Sequence, residues 1–315
     1  MSTPTVAVTC LHLQRTIDEH RGRLEQAGFR VVLPEVAGQQ LSETQMLEIV
    51  PGVDGLIAGD DEITRRVLEA GDRLRAVSKW GIGIDNIDLR AAEELGIRVT
   101  NTPGVFDDEV ADVVIGYLVM LARQLNTIDA AVRRGEWAKP VGVSLSGRTL
   151  GVIGLGHIGR AVTRRALAMG VRVIGTDVVA EQAQGASADG IEVVEVGALL
   201  ANADVVSLNC PLTPDNWHMI DDAALHSMKA GAFLINTARG PLVDESALAA
   251  SLKRGHLAGA ALDVFEVEPL PPESPLRTLP NVILGTHNAS NTANAVARTN
   301  RLAVDNLLAG LARRA

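Results

Sequence analysis

Residues 150–159 read LGVIGLGHIG, an apolar stretch that runs into the glycine pattern GxGxxG. In this pattern Gly154 permits a tight turn, Gly156 lets the backbone approach a pyrophosphate, and Gly159 lets the next helix pack against the strand. The N-terminus of that helix offers unpaired N–H groups and a partial positive charge to phosphates. The stretch predicts a strand–turn–helix unit that binds a dinucleotide, although an ordinary glycine-rich turn or the related pattern of methyltransferases would have similar spacing.

The context of the glycines favours the dinucleotide interpretation. The next expected strand, residues 171–176, ends at Asp177, eighteen residues after Gly159. An acidic residue about 20 positions beyond the glycines accepts hydrogen bonds from the adenosine ribose. A carboxylate there would also repel a 2′-phosphate, so NAD is favoured over NADP. The alternative, that Asp177 is an ordinary turn residue at a strand end, is the weaker interpretation.

Short β-branched runs alternate with charged helical stretches on both sides of this motif. One series precedes residue 101, and a second runs from residue 149 to residue 284. Such alternation predicts βαβ units and parallel sheets. We expect an α/β protein with two doubly wound parallel-sheet domains, a Rossmann cofactor domain and a flavodoxin-like substrate domain. Residues 110–121 carry apolar side chains at helical spacing, which predicts a helix buried between layers or between subunits.

Composition narrows the classes of function. The chain has 315 residues and a formal net charge of −9, which argues against a nucleic-acid or acidic-membrane partner. Its two cysteines, Cys10 and Cys210, form no CxxC pair, so neither a disulfide framework nor a zinc–thiolate site is expected, and we expect no metal. Neither a signal-peptide pattern nor an apolar run of about 20 residues is present, which favours a cytoplasmic protein.

Three ionisable residues follow expected strands, where ligands bind in open α/β sheets. Arg239 could hold a carboxylate with two parallel hydrogen bonds. His287 could exchange a proton with an alcohol or a ketone because its pKa normally lies near neutrality. Glu268 could orient that ring. Taken singly, each has a plain alternative: a surface arginine, a solvated loop glutamate and a core histidine.

Four stretches together resemble a known family. Residues 236–245 (NTARGPLVDE), 261–269 (ALDVFEVEP), 79–88 (KWGIGIDNID) and 101–104 (NTPG) are similar to the motifs of the D-isomer-specific 2-hydroxyacid dehydrogenases. That family includes 3-phosphoglycerate, D-lactate, formate, glycerate/hydroxypyruvate and phosphite dehydrogenases. The resemblance covers nearly the whole chain. It departs from many members after His287: they continue with an apolar residue and glycine, whereas this chain continues with Asn288-Ala289-Ser290, so the wall near the nicotinamide is expected to be more polar.

The resemblance implies NAD-dependent hydride transfer at C2 of a small 2-hydroxy or 2-keto acid. Arg239 would bind the substrate carboxylate, His287 would be the acid/base, and Glu268 would support it. Further substrate contacts are implied for Lys79, Trp80, Gly81, Ile82 and Gly83, the last two through backbone N–H groups. Contacts to NAD are implied for Gly154, Gly156, His157, Ile158, Gly159, Asp177, Cys210, Pro211, Thr237, Ala238 and Asp263, the last through the nicotinamide carboxamide.

The resemblance also implies a discontinuous substrate domain, residues 1–101 and 288–315, around a cofactor domain of residues 102–287. A homodimer is expected through the helix at residues 110–121 and an arm that includes Trp137 and extends to about Ser146. The chain begins almost at the first strand and ends at the last helix, so an enzyme is favoured over an NAD(H)-sensing co-repressor that shares this fold.

The substrate itself is the least determined feature. A 3-phosphoglycerate dehydrogenase needs cations for the phosphate, and Lys79 stands where the family often places one. The loop at Asp60, Asp61 and Glu62 would instead repel a phosphate, unless Lys79 pairs with one of the aspartates. We therefore expect a small unphosphorylated acid, with 3-phosphoglycerate as the alternative. The sequence leaves open the identity of the acid and the physiological direction.

Overall fold

The computed structural model describes residues 3–36 and 38–312, apart from the side chain of Ala188. The chain divides into two compact units. The first unit comprises residues up to 106 together with those from 291 onward, and the second unit comprises residues 107–290.

The first unit is built on a five-stranded parallel sheet. Its strands are β1 (Thr5–Val8), β2 (Arg30–Val32), β3 (Gly55–Ala58), β4 (Ala76–Lys79) and β5 (Arg98–Thr100). Its first helices are α1 (Leu11–Gln14), α2 (Asp18–Gln26), α3 (Glu43–Ile49), α4 (Arg65–Ala70) and α5 (Leu89–Glu94). The strand order β2-β1-β3-β4-β5 is the doubly wound, flavodoxin-like order. The expected class of this domain is confirmed.

Local sequence explains where these elements begin. Every residue of β1, β3 and β4 is buried, as expected for parallel strands with both faces covered. Ser42, Thr64 and Asp88 stand just before α3, α4 and α5, and each side chain accepts a backbone N–H from the first turn of its helix. Such caps satisfy N–H groups that have no partner within the helix.

The second unit holds a seven-stranded parallel sheet. Two helices, α6 (Asp107–Arg123) and α7 (Leu125–Arg133), precede it. Its strands are β6 (Thr149–Ile153), β7 (Arg172–Thr176), β8 (Glu192–Val193), β9 (Val205–Leu208), β10 (Phe233–Asn236), β11 (Gly259–Leu262) and β12 (Val282–Leu284). The intervening helices are α8 (His157–Ala168), α9 (Ala180–Ala188), α10 (Val196–Asn202), α11 (Asp222–Ser227) and α12 (Glu245–Lys253). The order β12-β11-β10-β9-β6-β7-β8 is the Rossmann order extended by one strand, so this expectation is also confirmed.

Helix α6 packs its apolar face on the sheet of the second unit. Val114, Leu118 and Leu121 belong to one buried cluster with Leu150 and Val152 of β6. The apolar spacing at residues 110–121 therefore reflects burial between layers, one of the two interpretations that the sequence allowed.

The last helix, α13 (Ala293–Ala312), belongs to the first unit. Ala303 and Leu307 are fully buried, and the Ser78 hydroxyl donates to the carbonyl of Ala303 at 2.8 Å. A Cβ at Gly55 would lie only 2.8 Å from Cδ1 of Leu311, so the helix rests directly on β3. No helix in the described part of the chain is long and apolar enough to cross a membrane.

Candidate active site

Three neighbouring strands of the second unit end in polar residues. Arg239 follows β10, Asp263 follows β11 and His287 follows β12, and these three strands are adjacent in the sheet. The carboxyl ends of parallel strands meet at one edge of a sheet, which is where open α/β proteins bind ligands. The structure thus places these residues at one edge of the second unit.

His287 and Glu268 form a direct pair. Nδ1 of His287 lies 2.8 Å from Oε2 of Glu268, and Oε1 of Glu268 accepts the backbone N–H of Phe265 at 2.9 Å. The glutamate side chain is 16% exposed and the histidine side chain 27%. Because one carboxylate oxygen is held by the backbone, the other is directed at the ring and fixes its orientation. The expected support of His287 by Glu268 therefore has the necessary geometry.

His287 itself has an unusual backbone conformation. Its φ is +54°, in the left-handed region that residues other than glycine seldom adopt. The His287 N–H donates to the carbonyl of Asp263 at 2.6 Å, which ties the residue to the end of the neighbouring strand. The surrounding hydrogen bonds must offset the cost of this conformation.

Arg239 is held close to the loop that carries Glu268. The side chain of Asn236 organises the turn: its Oδ1 accepts the N–H of Ala238 at 3.0 Å, and its Nδ2 donates to the carbonyl of Arg239 at 2.8 Å. A Cβ at Gly240 would lie 1.8 Å from the carbonyl carbon of Phe265, so only glycine lets these two loops touch. The half-buried Arg239 also donates from Nη1 to the carbonyl of Ala238 at 2.7 Å.

The glycine turn has the shape that a dinucleotide requires. Gly154 has a φ of +94°, and a Cβ at Gly159 would lie 1.9 Å from the carbonyl oxygen of Gly154. A Cβ at Gly156 would meet no atom within 4 Å, so this glycine faces open space at the start of α8. Gly154 therefore permits the tight turn, Gly159 lets the helix pack closely on the turn, and Gly156 leaves room for a ligand.

Other residues expected to contact the cofactor lie on the neighbouring loops. The Thr237 hydroxyl is buried and has no hydrogen-bond partner among the described residues, as expected of a group that binds a ligand. Cys210 is half-buried, and burial raises the pKa of its thiol to about 11. The carbonyl of Pro211 accepts from Asn216 at 2.8 Å. On α8, His157 is exposed, with Nδ1 3.8 Å from Oδ2 of Asp107.

Asp177 fastens the glycine turn. Its Oδ2 accepts the N–H of Leu155 at 2.6 Å, and its Oδ1 accepts the N–H of Val179 at 2.8 Å. The next residue, Val178, is fully exposed and uncharged. Asp177 thus has a structural role that the sequence did not reveal, and no cation directly follows it that could attract a 2′-phosphate.

In the first unit, Lys79 is committed to internal contacts. Its side chain is 3% exposed, and Nζ lies 2.9 Å from Oδ1 of Asp60 and 2.8 Å from the carbonyl oxygen of Trp80. The expected pairing of Lys79 with an aspartate is confirmed for Asp60. The expectation that all three carboxylates of this loop would repel a phosphate is wrong for Asp61. This residue is 1% exposed, and its carboxylate accepts N–H groups from Leu41 and Gly59. Burial raises the pKa of Asp61.

The rest of the expected substrate loop is well anchored. Trp80 is buried, donates from Nε1 to Asn300 at 2.7 Å, and stacks on His12 with 4.7 Å between ring centroids. Gly81 has a φ of +123°, and its N–H donates to the hydroxyl of Thr102 at 2.9 Å. Ile82 and Gly83 follow as half-buried residues, and the carbonyl of Ile82 accepts from Asn101 at 2.7 Å.

Two features of these loops were not predicted. Glu245 and Glu266 exchange hydrogen bonds, each carboxylate accepting the backbone N–H of the other residue at 2.9 and 2.6 Å. Tyr117 on α6 lies against Asp263, and its only sequence signal is that it is the single tyrosine of the chain.

Within the described residues, no group of three or more His, Cys, Asp or Glu side chains could hold a metal ion.

Comparison with known proteins supports the interpretation of this edge. Residues 115–289 match the family model described as "D-isomer specific 2-hydroxyacid dehydrogenase, NAD binding domain". The chain belongs to the D-isomer specific 2-hydroxyacid dehydrogenase family. It is therefore an NAD-binding oxidoreductase that acts on a CH–OH group, as predicted.

Individual members of the family are similar over most of the chain. A glyoxylate reductase of Thermofilum pendens is 38% identical over 99% of this chain and 92% of its own length. A D-3-phosphoglycerate dehydrogenase of Methanocaldococcus jannaschii is 40% identical over 81% of this chain, but over only 49% of its own length. The crystal structure of an NADPH-dependent glyoxylate/hydroxypyruvate reductase from Sinorhizobium meliloti, in complex with NADP and malonate, is similar with a TM-score of 0.86 and 32% identity. That similarity covers 99% of this chain and 95% of the other.

Proposed function

We propose that the protein is an NAD-dependent D-2-hydroxyacid dehydrogenase that interconverts a small, unphosphorylated 2-keto acid and its 2-hydroxy acid. The proposal rests chiefly on the contact between His287 and Glu268, 2.8 Å long, at the edge of the sheet where β10, β11 and β12 end. A histidine oriented by a carboxylate is the arrangement that a reversible proton donor and acceptor needs. A glyoxylate or hydroxypyruvate reductase is the form of this activity that similar family members suggest.

In the proposed reaction, NADH, when bound, would supply a hydride to C2 of the keto acid. As that C–H bond forms, the electrons of the C=O bond move to its oxygen, and His287 transfers its proton to that oxygen. Because Nδ1 faces Glu268, Nε2 is the atom that gives up the proton. Glu268 stabilises the protonated ring before the transfer. In the reverse direction, neutral His287 accepts the hydroxyl proton as the hydride leaves C2.

Arg239 is proposed to bind the substrate carboxylate and to polarise the C2 carbonyl. A guanidinium suits this role because its N–H groups form two parallel hydrogen bonds with a carboxylate. The close approach at Gly240 keeps the loop of Arg239 against the loop of Glu268, which favours a fixed geometry between them. Trp80, Gly81 and the backbone N–H groups of Ile82 and Gly83 remain proposed substrate contacts of the first unit.

The proposed preference for NAD over NADP rests on Asp177. Its carboxylate would accept hydrogen bonds from the ribose hydroxyls and repel a 2′-phosphate. The uncharged Val178 gives such a phosphate no compensating attraction. Gly156, His157 and Ile158 would cover the pyrophosphate, Cys210, Pro211, Thr237 and Ala238 would line the cofactor site, and Asp263 would accept from the carboxamide.

The environment of Lys79 favours an unphosphorylated substrate. A phosphate dianion needs unneutralised cations, and the charge of Lys79 is balanced by Asp60 at 2.9 Å in a buried setting. 3-Phosphoglycerate remains the alternative substrate because Lys79 is a cation beside Gly81.

A homodimer and a cytoplasmic location stay part of the proposal. The dimer is motivated by the highly exposed Trp137 and Val141 on the segment that follows α7.

A direct comparison of substrates tests this function. Purified protein with NADH is given glyoxylate, hydroxypyruvate, phenylpyruvate and phosphohydroxypyruvate, and nicotinamide absorbance is followed. We expect the highest kcat/KM for an unphosphorylated acid. A value for phosphohydroxypyruvate at least about tenfold above the others, a difference of about 1.4 kcal/mol in transition-state binding, would establish the phosphoglycerate alternative. If none of the four acids is reduced, the proposed activity is wrong.

A further inference from the structure

The single tyrosine of the chain lies in the middle of α6, among the apolar residues that cover the sheet of the second unit. Tyr117 is half-buried, and its hydroxyl lies close to the carboxylate of Asp263, beside Gly285. Burial, together with the negative charge of Asp263, raises the pKa of Tyr117. The hydroxyl therefore keeps its proton at neutral pH and is suited to donate it to the carboxylate in a hydrogen bond.

Gly285 provides the space in which these two groups meet. A Cβ at this position would lie 2.1 Å from Oδ1 of Asp263 and 2.6 Å from Oη of Tyr117. Both oxygen atoms thus occupy the volume that any other side chain would fill. Gly285 does not have a positive φ. The close approach of these two oxygen atoms is therefore the reason that this position requires glycine.

Asp263 in turn holds the backbone on both sides of the proposed acid/base. Its Oδ2 accepts the N–H of Ala289 at 2.8 Å, and its carbonyl accepts the N–H of His287 at 2.6 Å. Asp263 is only 2% exposed, so its charge depends on protein donors rather than on water. Between these two attachments, His287 adopts its left-handed conformation.

We propose that Tyr117 is a positioning residue for proton transfer by His287: its hydroxyl donates to Asp263, and Asp263 holds residues 285–289 in the conformation that presents the histidine ring. This inference rests on the proposed role of His287. Tyr117 does not touch the reacting atoms in this account. Its contribution is to satisfy one oxygen of Asp263 while Ala289 satisfies the other.

The proposal predicts a defect in turnover that is larger than any loss of NADH affinity. Without the hydroxyl, the buried carboxylate keeps only the donor at Ala289 and is expected to reorient, which shifts the backbone that it holds. A displacement of about 1 Å at a catalytic group can lower a rate by about 100-fold. The glycine turn and Asp177, in contrast, lie on other strands of the sheet and keep their contacts.

The first experiment compares Tyr117→Phe with Ser251→Ala, which removes another buried hydroxyl of the second unit. We expect Tyr117→Phe to lower kcat for the best 2-keto acid about 10- to 100-fold, with a much smaller change in KM for NADH, because Asp263 is only one of the proposed NADH contacts. Ser251→Ala should retain the wild-type kcat. If Tyr117→Phe keeps the wild-type kcat, or loses kcat and NADH affinity alike, Tyr117 is not a positioning residue. A wild-type protein that reduces no 2-keto acid would instead refute the proposed function.

The second experiment does not depend on turnover. Growth on 3-fluorotyrosine places one fluorine in the chain, at position 117, because no other tyrosine exists. We expect the ¹⁹F signal of the folded protein to titrate at clearly higher pH than that of free 3-fluorotyrosine, and Asp263→Asn to lower the titration midpoint. A midpoint like that of the free amino acid, or one indifferent to Asp263→Asn, would show that the hydroxyl does not serve Asp263.

Discussion

In the proposed reaction, His287 alone transfers the proton, and Glu268 only orients its ring. Replacing His287 by alanine removes the proton donor but leaves the glycine turn and Asp177 intact. We expect kcat to fall about 10²- to 10⁴-fold, the usual worth of a positioned acid/base, while NADH still binds. Turnover and NADH fluorescence titration measure the two effects. His226→Ala, which changes an exposed histidine of α11, is the matched control and should behave as wild type.

Asp60 makes a second prediction at the scale of one residue. Its contact with Lys79 neutralises the cation that a phosphorylated substrate would need. Asp60→Asn should therefore raise kcat/KM for phosphohydroxypyruvate relative to hydroxypyruvate, by about tenfold, since one unbalanced charge near a dianion is worth about 1 kcal/mol or more. Glu62→Gln removes a charge from the same loop without a contact to Lys79 and should leave the ratio unchanged. An unchanged ratio in Asp60→Asn would show that Lys79 does not face the substrate tail.

At the scale of the element, Asp177 links the end of β7 to the turn that follows β6. Asp177→Ala removes the acceptor of two backbone N–H groups as well as the negative charge. We expect the preference for NAD over NADP to shrink, and the free energy of unfolding to fall by about 1–3 kcal/mol. Kinetics with both cofactors and urea denaturation measure the two losses. Asp189→Ala, an exposed carboxylate of the same unit, should cause neither. Equal use of both cofactors by the wild type would show that Asp177 sets no preference.

The elements also show what the sequence could predict. Alternating apolar runs identified both parallel sheets, because buried strands such as β3 and β11 consist of apolar residues on both faces. Strand β8 escaped prediction since its two residues, Glu192 and Val193, are exposed or half-buried and carry no periodic signal.

Site residues were predictable where a motif fixes a backbone shape, as at Gly154 and Gly159. The contacts of Tyr117 and Asp61 were not predictable in this way. They join residues far apart in the chain, Tyr117 with Asp263 and Asp61 with Leu41, and they depend on where each side chain points.

Exposed apolar side chains predict that whole chains associate. The segment after α7 exposes Trp137 by 80% and Val141 by 94%, and apolar side chains this exposed commonly mark an interface. We expect light scattering to show a homodimer, and the double replacement Trp137→Ser/Val141→Ser to shift it toward the monomer. A wild type that is monomeric at micromolar concentration would contradict this expectation.

Because α13 belongs to the first unit, the two units differ in how they can fold during translation. Residues 3–106 are synthesised early, but the helix that covers β3 and β4 is synthesised only with residues 293–312. The second unit, continuous from residue 107 to residue 290, is complete before that helix emerges. The sheet of the second unit can therefore fold during translation, while one apolar face of the first unit's sheet remains uncovered. Nascent chains stalled before Ala293 should for this reason be the species that chaperones bind and that aggregate most readily.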